Sequence, residues 1–94
     1  TNVPRRRTYF SQVVTELWCR SGDVDKALTT LEYANGYGLT DIAWIDRCPS
    51  LTPIRSEERF ARVRAVVRAR AEDVIAAIGP ELQRIRSASF APNR

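Results

Sequence analysis

The dipeptide Gly22-Asp23 is the tightest constraint in the chain, because it sits between two segments of helical period and leaves almost no room for a connection. Before it, residues 8–21 place Phe10, Val13, Val14, Leu17 and Trp18 at i, i+3, i+4, i+7 and i+8, the stripe of an amphipathic helix. After it, residues 24–35 repeat the pattern with Val24, Ala27, Leu28, Leu31 and Ala34. Gly22 suits the left-handed position that ends a helix, and Asp23 suits the cap of the next. A turn this short predicts two helices packed antiparallel. Thr8 is the N-cap candidate of the first, with Ser11 rather than Glu at the capping-box position.

Further along, Gly36-Tyr37-Gly38 ends the second helix, since glycines are costly in a helix interior. Thr40-Asp41 opens a short third helix over 41–47 that presents Ile42, Trp44 and Ile45. Pro49 stops it and disfavours helix at Cys48. Residues 48–55 are expected to be extended or turned, because Pro49 and Pro53 fix φ and remove two donors. Ser56 then caps the longest helix, with Glu57 and Glu58 at the positive end of its dipole and Gly79-Pro80 as its stop. Phe60, Val63, Val67, Ala71, Val74 and Ile78 share one stripe of it. Residues 80–88 add a turn or two, with Leu82 and Ile85 available, and disorder is expected after Ser87. The expected organisation is a basic linker over 1–7, a helical domain over 8–79, and a short helix with a flexible basic tail over 80–94. The expected fold is all-α: an antiparallel hairpin, a short helix with a proline loop, and a long capping helix.

Ninety-four residues make one small domain with a thin stability margin. The chain begins with Thr1 and contains no methionine, so we read it as a fragment of a longer protein. Its net charge of +4 raises the question of nucleic acid. Arg5, Arg6 and Arg7 give residues 1–7 a net +3; Arg84, Arg86 and Arg94 against Glu81 give 80–94 a net +2. The body, 8–79, carries nine basic and ten acidic residues. A nucleic-acid domain usually carries its basic stripe on the folded face, so this distribution argues against one. Five arginines on the long helix, Arg59, Arg62, Arg64, Arg68 and Arg70, lie among Glu57, Glu58, Glu72 and Asp73. Glu58–Arg62 and Arg68–Glu72 are i,i+4 pairs, and a solvated face with draped stems is the better reading.

Cys19 and Cys48 fit neither a zinc motif nor a disulfide framework. Two reduced thiols are the expectation, with a single Cys19–Cys48 bridge as the alternative. No apolar run approaches a membrane span, and a cytoplasmic location is expected. The absence of histidine excludes the usual Ser-His and Cys-His arrangements. GYG at 36–38 matches no phosphate loop. The expectation is therefore no enzyme, no metal and no cofactor. RRRTYFS (5–11) is a kinase-substrate candidate at Thr8, where phosphate would sit at a helix N-terminus beside arginines, but a basic linker is the plainer reading.

The run LWCRSGDVDKALTTLEYA (17–34) resembles a tetratricopeptide repeat (TPR). Trp18, Gly22, Ala27, Leu31 and Ala34 fall at that family's spacing of large, small and turn residues. Leu39 stands where the family often has proline, and Ser11 where it has a large side chain, departures that fit a terminal, degenerate repeat. CPSLTPIRSEERF (48–60) resembles the segment that closes TPR arrays at the C-terminal ends of bacterial serine/threonine kinases and other large signalling proteins. An array needs such a cap, because one repeat cannot bury its own apolar face. The resemblance implies that Leu51, Pro53, Ile54 and Phe60 plug the end of the repeat, with Arg55 and Arg59 at its edge. It also implies a protein–protein interaction or scaffolding module in a larger regulatory protein, with the exposed stripe Tyr9, Gln12, Glu16 and Arg20 of the first helix meeting the partner. The partner is another protein or another domain of the parent chain. Two other readings compete: self-association, as a homodimer through the long helix 56–78, and weak binding of nucleic acid or an acidic surface through the basic ends.

Overall fold

The computed structural model of the chain describes residues 3–90, with side chains described over 6–81 and 83–85. Among the described residues the fold is all-α, with no strand. The elements run α1 (Val3–Ser21), α2 (Val24–Gly36), α3 (Ile42–Arg47), a 3-10 helix (Pro49–Ile54) and α4 (Glu58–Phe90). Helices α1 and α2 pack together as the hairpin that the short turn predicts. The turn works as its residues suggest: Gly22 takes φ +84°, and the Asp23 carboxylate accepts the Lys26 N–H at 3.1 Å. Gly38 ends the next connection at φ +91°, and Asp41 caps α3 by accepting the Trp44 N–H at 3.0 Å.

The core lies where α2, the 3-10 helix and the first half of α4 meet. Leu31, Leu39, Ile45, Leu51, Ile54 and Val67 are fully buried there, with Leu28, Phe60 and Val63 beside them. α4 packs on α2 and α3, while α1 packs on α2 and the 3-10 helix. The arginines of α4 hold this arrangement across the helices. Arg59 donates to Glu32, at 2.8 Å and 3.0 Å, and to Asp25 at 2.9 Å. Arg64 grips Asp46 at 2.6 Å and 3.1 Å, and Arg70 donates to the Leu39 carbonyl at 2.6 Å.

Four expectations need correction. Residues 3–7 are not a linker, because α1 already begins at Val3. Pro4 fits a first helical turn, where its missing N–H costs nothing. Arg7 then ties that turn to α2's end, donating to the Tyr33 and Tyr37 hydroxyls at 3.1 Å each. Thr8 is accordingly inside α1, not at its N-cap, and the helix-terminus case for a phosphate there is lost. The proline segment is a 3-10 helix rather than extended, since Pro49 occupies its first position and i→i+3 bonds tolerate both prolines.

The fourth correction concerns length. α4 does not stop at Gly79-Pro80 but continues to Phe90, in place of a separate short helix followed by disorder after Ser87. Gly79 has no positive φ, and Pro80 only removes the donor to one exposed turn, which water can serve. Residues 91–94 of the expected tail, and the Leu82 side chain, lie outside the described residues. From Glu72 to Ile85 every described side chain is exposed, so this part of α4 is an arm beyond the core. The molecule extends 54 × 28 × 20 Å, and its radius of gyration of 16.3 Å exceeds the roughly 12 Å of a compact chain this long.

Candidate interaction surface

Helix α1 decides what the molecule can present. Its stripe of large apolar residues predicts an inward face of Phe10, Val13, Val14, Leu17 and Trp18. The face that packs on α2 is instead Ser11, Thr15 and Cys19, all buried and spaced i, i+4, i+8. They face the hairpin whose other side carries Ala27, Leu31 and Ala34, each fully buried. The small Ser11, Thr15 and Cys19, with Ala27 and Ala34 opposite, leave room for Leu31 and allow a close approach that large side chains at 11, 15 and 19 would block. The Thr15 hydroxyl is satisfied by donating back to the Ser11 carbonyl at 2.7 Å, so burying it leaves no unpaired group. Ser11, the departure from the TPR pattern, is thus part of this contact.

The consequence is on the outside. Phe10 is 68% exposed and Leu17 54%, with Tyr9 and Val13 exposed beside them. By helical geometry these lie opposite Thr15, between Arg6 and Arg20. Val14 is half-buried at the margin, and Trp18 is half-buried against the core with the Lys26 ammonium 4.7 Å from its ring centroid.

The four residues expected to meet a partner divide into two pairs. Tyr9 and Arg20 are exposed. Gln12 and Glu16 are half-buried and already engaged by the third helix. Gln12 Nε2 donates to Asp41 Oδ2 at 3.3 Å, and Trp44 Nε1 donates to Glu16 Oε2 at 2.7 Å. α3 therefore occupies part of the surface expected to be open. Phe10, Val13 and Leu17 replace that pair as the outward residues, and the stripe they form was visible in the sequence with the opposite orientation assumed.

The residues of the expected plug lie as follows: Leu51, Ile54 and Phe60 are buried, while Pro53 is exposed on the outer side of the 3-10 helix. Arg55 is more than an edge residue, because its Nη2 donates to the Ile45 and Cys48 carbonyls at 3.0 Å and 2.7 Å. Of the repeat motif, Gly22 makes the turn, Ala27, Leu31 and Ala34 lie in the core, and Trp18 covers its edge.

Glu32 and Asp46 are held below the usual carboxylate range, chiefly by hydrogen bonds from Arg59 and Arg64, which therefore serve as structural clamps. Arg7 is occupied by two tyrosines, and its charge lies 5.1 Å from the Tyr37 ring centroid. Burial pushes the Cys19 thiol up, and both cysteines are free. Among the described residues, no cluster of His, Cys, Asp and Glu could hold a metal ion. No described helix is long and apolar enough to cross a membrane. A shallow groove of about 450 Å³ runs along α4 between Ala65, Val66, Ala69, Arg70 and Asp73. Comparison with family models, curated proteins and solved structures finds no match for this chain.

Proposed function

We propose that this chain is a protein–protein interaction or scaffolding module without catalytic activity, and that the outward face of α1 is its docking surface. One observation carries the reading: α1 satisfies its own hairpin with Ser11, Thr15 and Cys19 and leaves Phe10, Val13 and Leu17 outside. An aromatic and aliphatic patch bounded by charges is the composition of a protein contact. The resemblance of residues 17–34 to a TPR, and of 48–60 to the closing segment of TPR arrays, supports a further assignment: the end of a helical-repeat region in a larger cytoplasmic regulatory protein, bacterial by that resemblance.

The test compares surface variants of the immobilised chain in cell lysate, with retained proteins read by mass spectrometry. Leu17→Glu is expected to lose specifically retained partners, whereas Arg62→Ala, on the solvated side of α4, keeps them. A retained set, counting untagged copies of this chain added to the lysate, that is the same for Leu17→Glu and wild type rejects the α1 surface.

A further inference from the structure

Among the described residues, exposed apolar side chains form stripes on two helices. One is the outward face of α1, with Phe10, Val13 and Leu17. The other is the α4 arm, where Val74, Ile75, Ile78 and Ile85 are all exposed. The arm's stripe is not a separate feature. At 100° per residue, Val74, Ile78 and Ile85 continue the line of Phe60, Val63, Val67 and Ala71, which is buried on the hairpin. One helix face thus begins as an intramolecular packing surface and runs on into solvent. Phe60 to Ala71 cannot serve a homodimer while the hairpin covers them, so self-association through all of 56–78 is not available to the folded chain.

The charges around the two open surfaces are opposite. Over 6–20, α1 carries Arg6, Arg7 and Arg20 against Glu16, a net +2. Over 72–90, the arm carries Glu72, Asp73 and Glu81 against Arg84 and Arg86, a net −1. A pairing of two arms would place acidic helices together, and a pairing of two α1 faces would place basic helices together. Only arm against α1 brings opposite signs into contact. The lengths also suit: Phe10 to Leu17 spans roughly 10 Å of helix and Val74 to Ile85 roughly 16 Å, at ~1.5 Å per residue.

We propose that the outward face of α1 receives the α4 arm of a second copy of this chain, and that the contact is reciprocal. Each copy offers one face and one arm, so two contacts close a twofold dimer and leave neither surface open. The inference rests on the reading of α1 as a docking surface and names its occupant.

The experiment is the solution mass of the full chain by light scattering across a concentration series, with circular dichroism confirming that each variant stays helical. The wild type is expected to reach twice the monomer mass. Leu17→Glu on the face and Ile78→Lys on the arm are each expected to raise the dissociation constant at least tenfold, and added salt to weaken wild-type pairing. If Leu17→Glu pairs as well as wild type, the arms meet each other and the proposal is wrong. If Ile78→Lys pairs as well as wild type, the α1 faces meet each other and it is wrong again. A wild type that stays monomeric but still retains other proteins through Leu17 rejects self-pairing and leaves the docking surface standing. A chain that does neither rejects both.

Discussion

Arginine has two different uses on α4, and the neighbours of each one decide which. Arg62 and Arg68 bond within their own helix, to Glu58 at 3.1 Å and Glu72 at 3.3 Å. Arg59, Arg64 and Arg70 reach other elements, and Arg70 adds Asn35 to its bond with the Leu39 carbonyl. Removing Arg70 leaves a partly buried carbonyl without its charged donor, so Arg70→Ala is expected to lower unfolding free energy by about 1–2 kcal/mol in urea titration. Arg62→Ala, which breaks only an exposed i,i+4 pair, is expected to cost about 0.5 kcal/mol or less. The local pairs were legible from spacing. The cross-helix clamps were not, because Glu32 and Arg59 are far apart in sequence and no period says which helices cross. The cysteines give a second residue-scale prediction. Cys19 is buried with a raised thiol pKa, while Cys48 is half-buried, so a thiol reagent added to native protein should modify Cys48 well before Cys19. Equal rates, or a first label on Cys19, would mean that the α1–α2 contact is looser than described.

At the scale of elements, the hairpin turn, the cap of α3 and the covered half of α4 could be read directly from Gly22-Asp23, Asp41 and the stripe from Phe60 to Ala71. The orientation of α1 could not. An amphipathic stripe says that one face is apolar, not which neighbour covers it. The small residues at 11, 15 and 19 look merely polar in a hydropathy pattern, although they make the closer contact. Leu39 was likewise met as a departure from a repeat pattern, yet it is fully buried and closes the junction between α2 and α3. Gly79-Pro80 carries the strongest local stop signal in the chain, and α4 runs through it. This yields a direct check. A Cβ at Gly79 would meet no atom within 4 Å, and its φ is not positive. Gly79→Ala should therefore raise helical content and stabilise the arm by about 0.5–1 kcal/mol, measured by circular dichroism during thermal unfolding. A loss of helix on that substitution would mean that the chain turns at 79–80.

For the whole molecule, α4 is fastened to the hairpin by ion pairs around its covered half as well as by its apolar stripe. Glu32 and Asp46 have lower proton affinity in the fold than in the unfolded chain, first because Arg59 and Arg64 hydrogen-bond them. A depressed carboxyl pKa stabilises the fold in full above the ordinary range near pH 4 and ceases to do so as pH falls through the depressed values. Stability should thus decline on acidification below about pH 4, modestly, since these carboxylates are solvent-exposed. Removing both guanidiniums with Arg59→Ala and Arg64→Ala should flatten that limb, as read from unfolding midpoints across pH. The orientation of α1, small residues inward and large ones outward, leaves Phe10, Val13 and Leu17 as its proposed docking face. It is tested most directly by thermal unfolding of two dilute variants, Thr15→Glu and Leu17→Glu. Thr15 is 0% exposed and Leu17 54%, so Thr15→Glu should abolish or severely lower the transition and Leu17→Glu should leave it near wild type. A stable Thr15→Glu beside an unfolded Leu17→Glu would place Leu17 in the core and leave α1 no docking face.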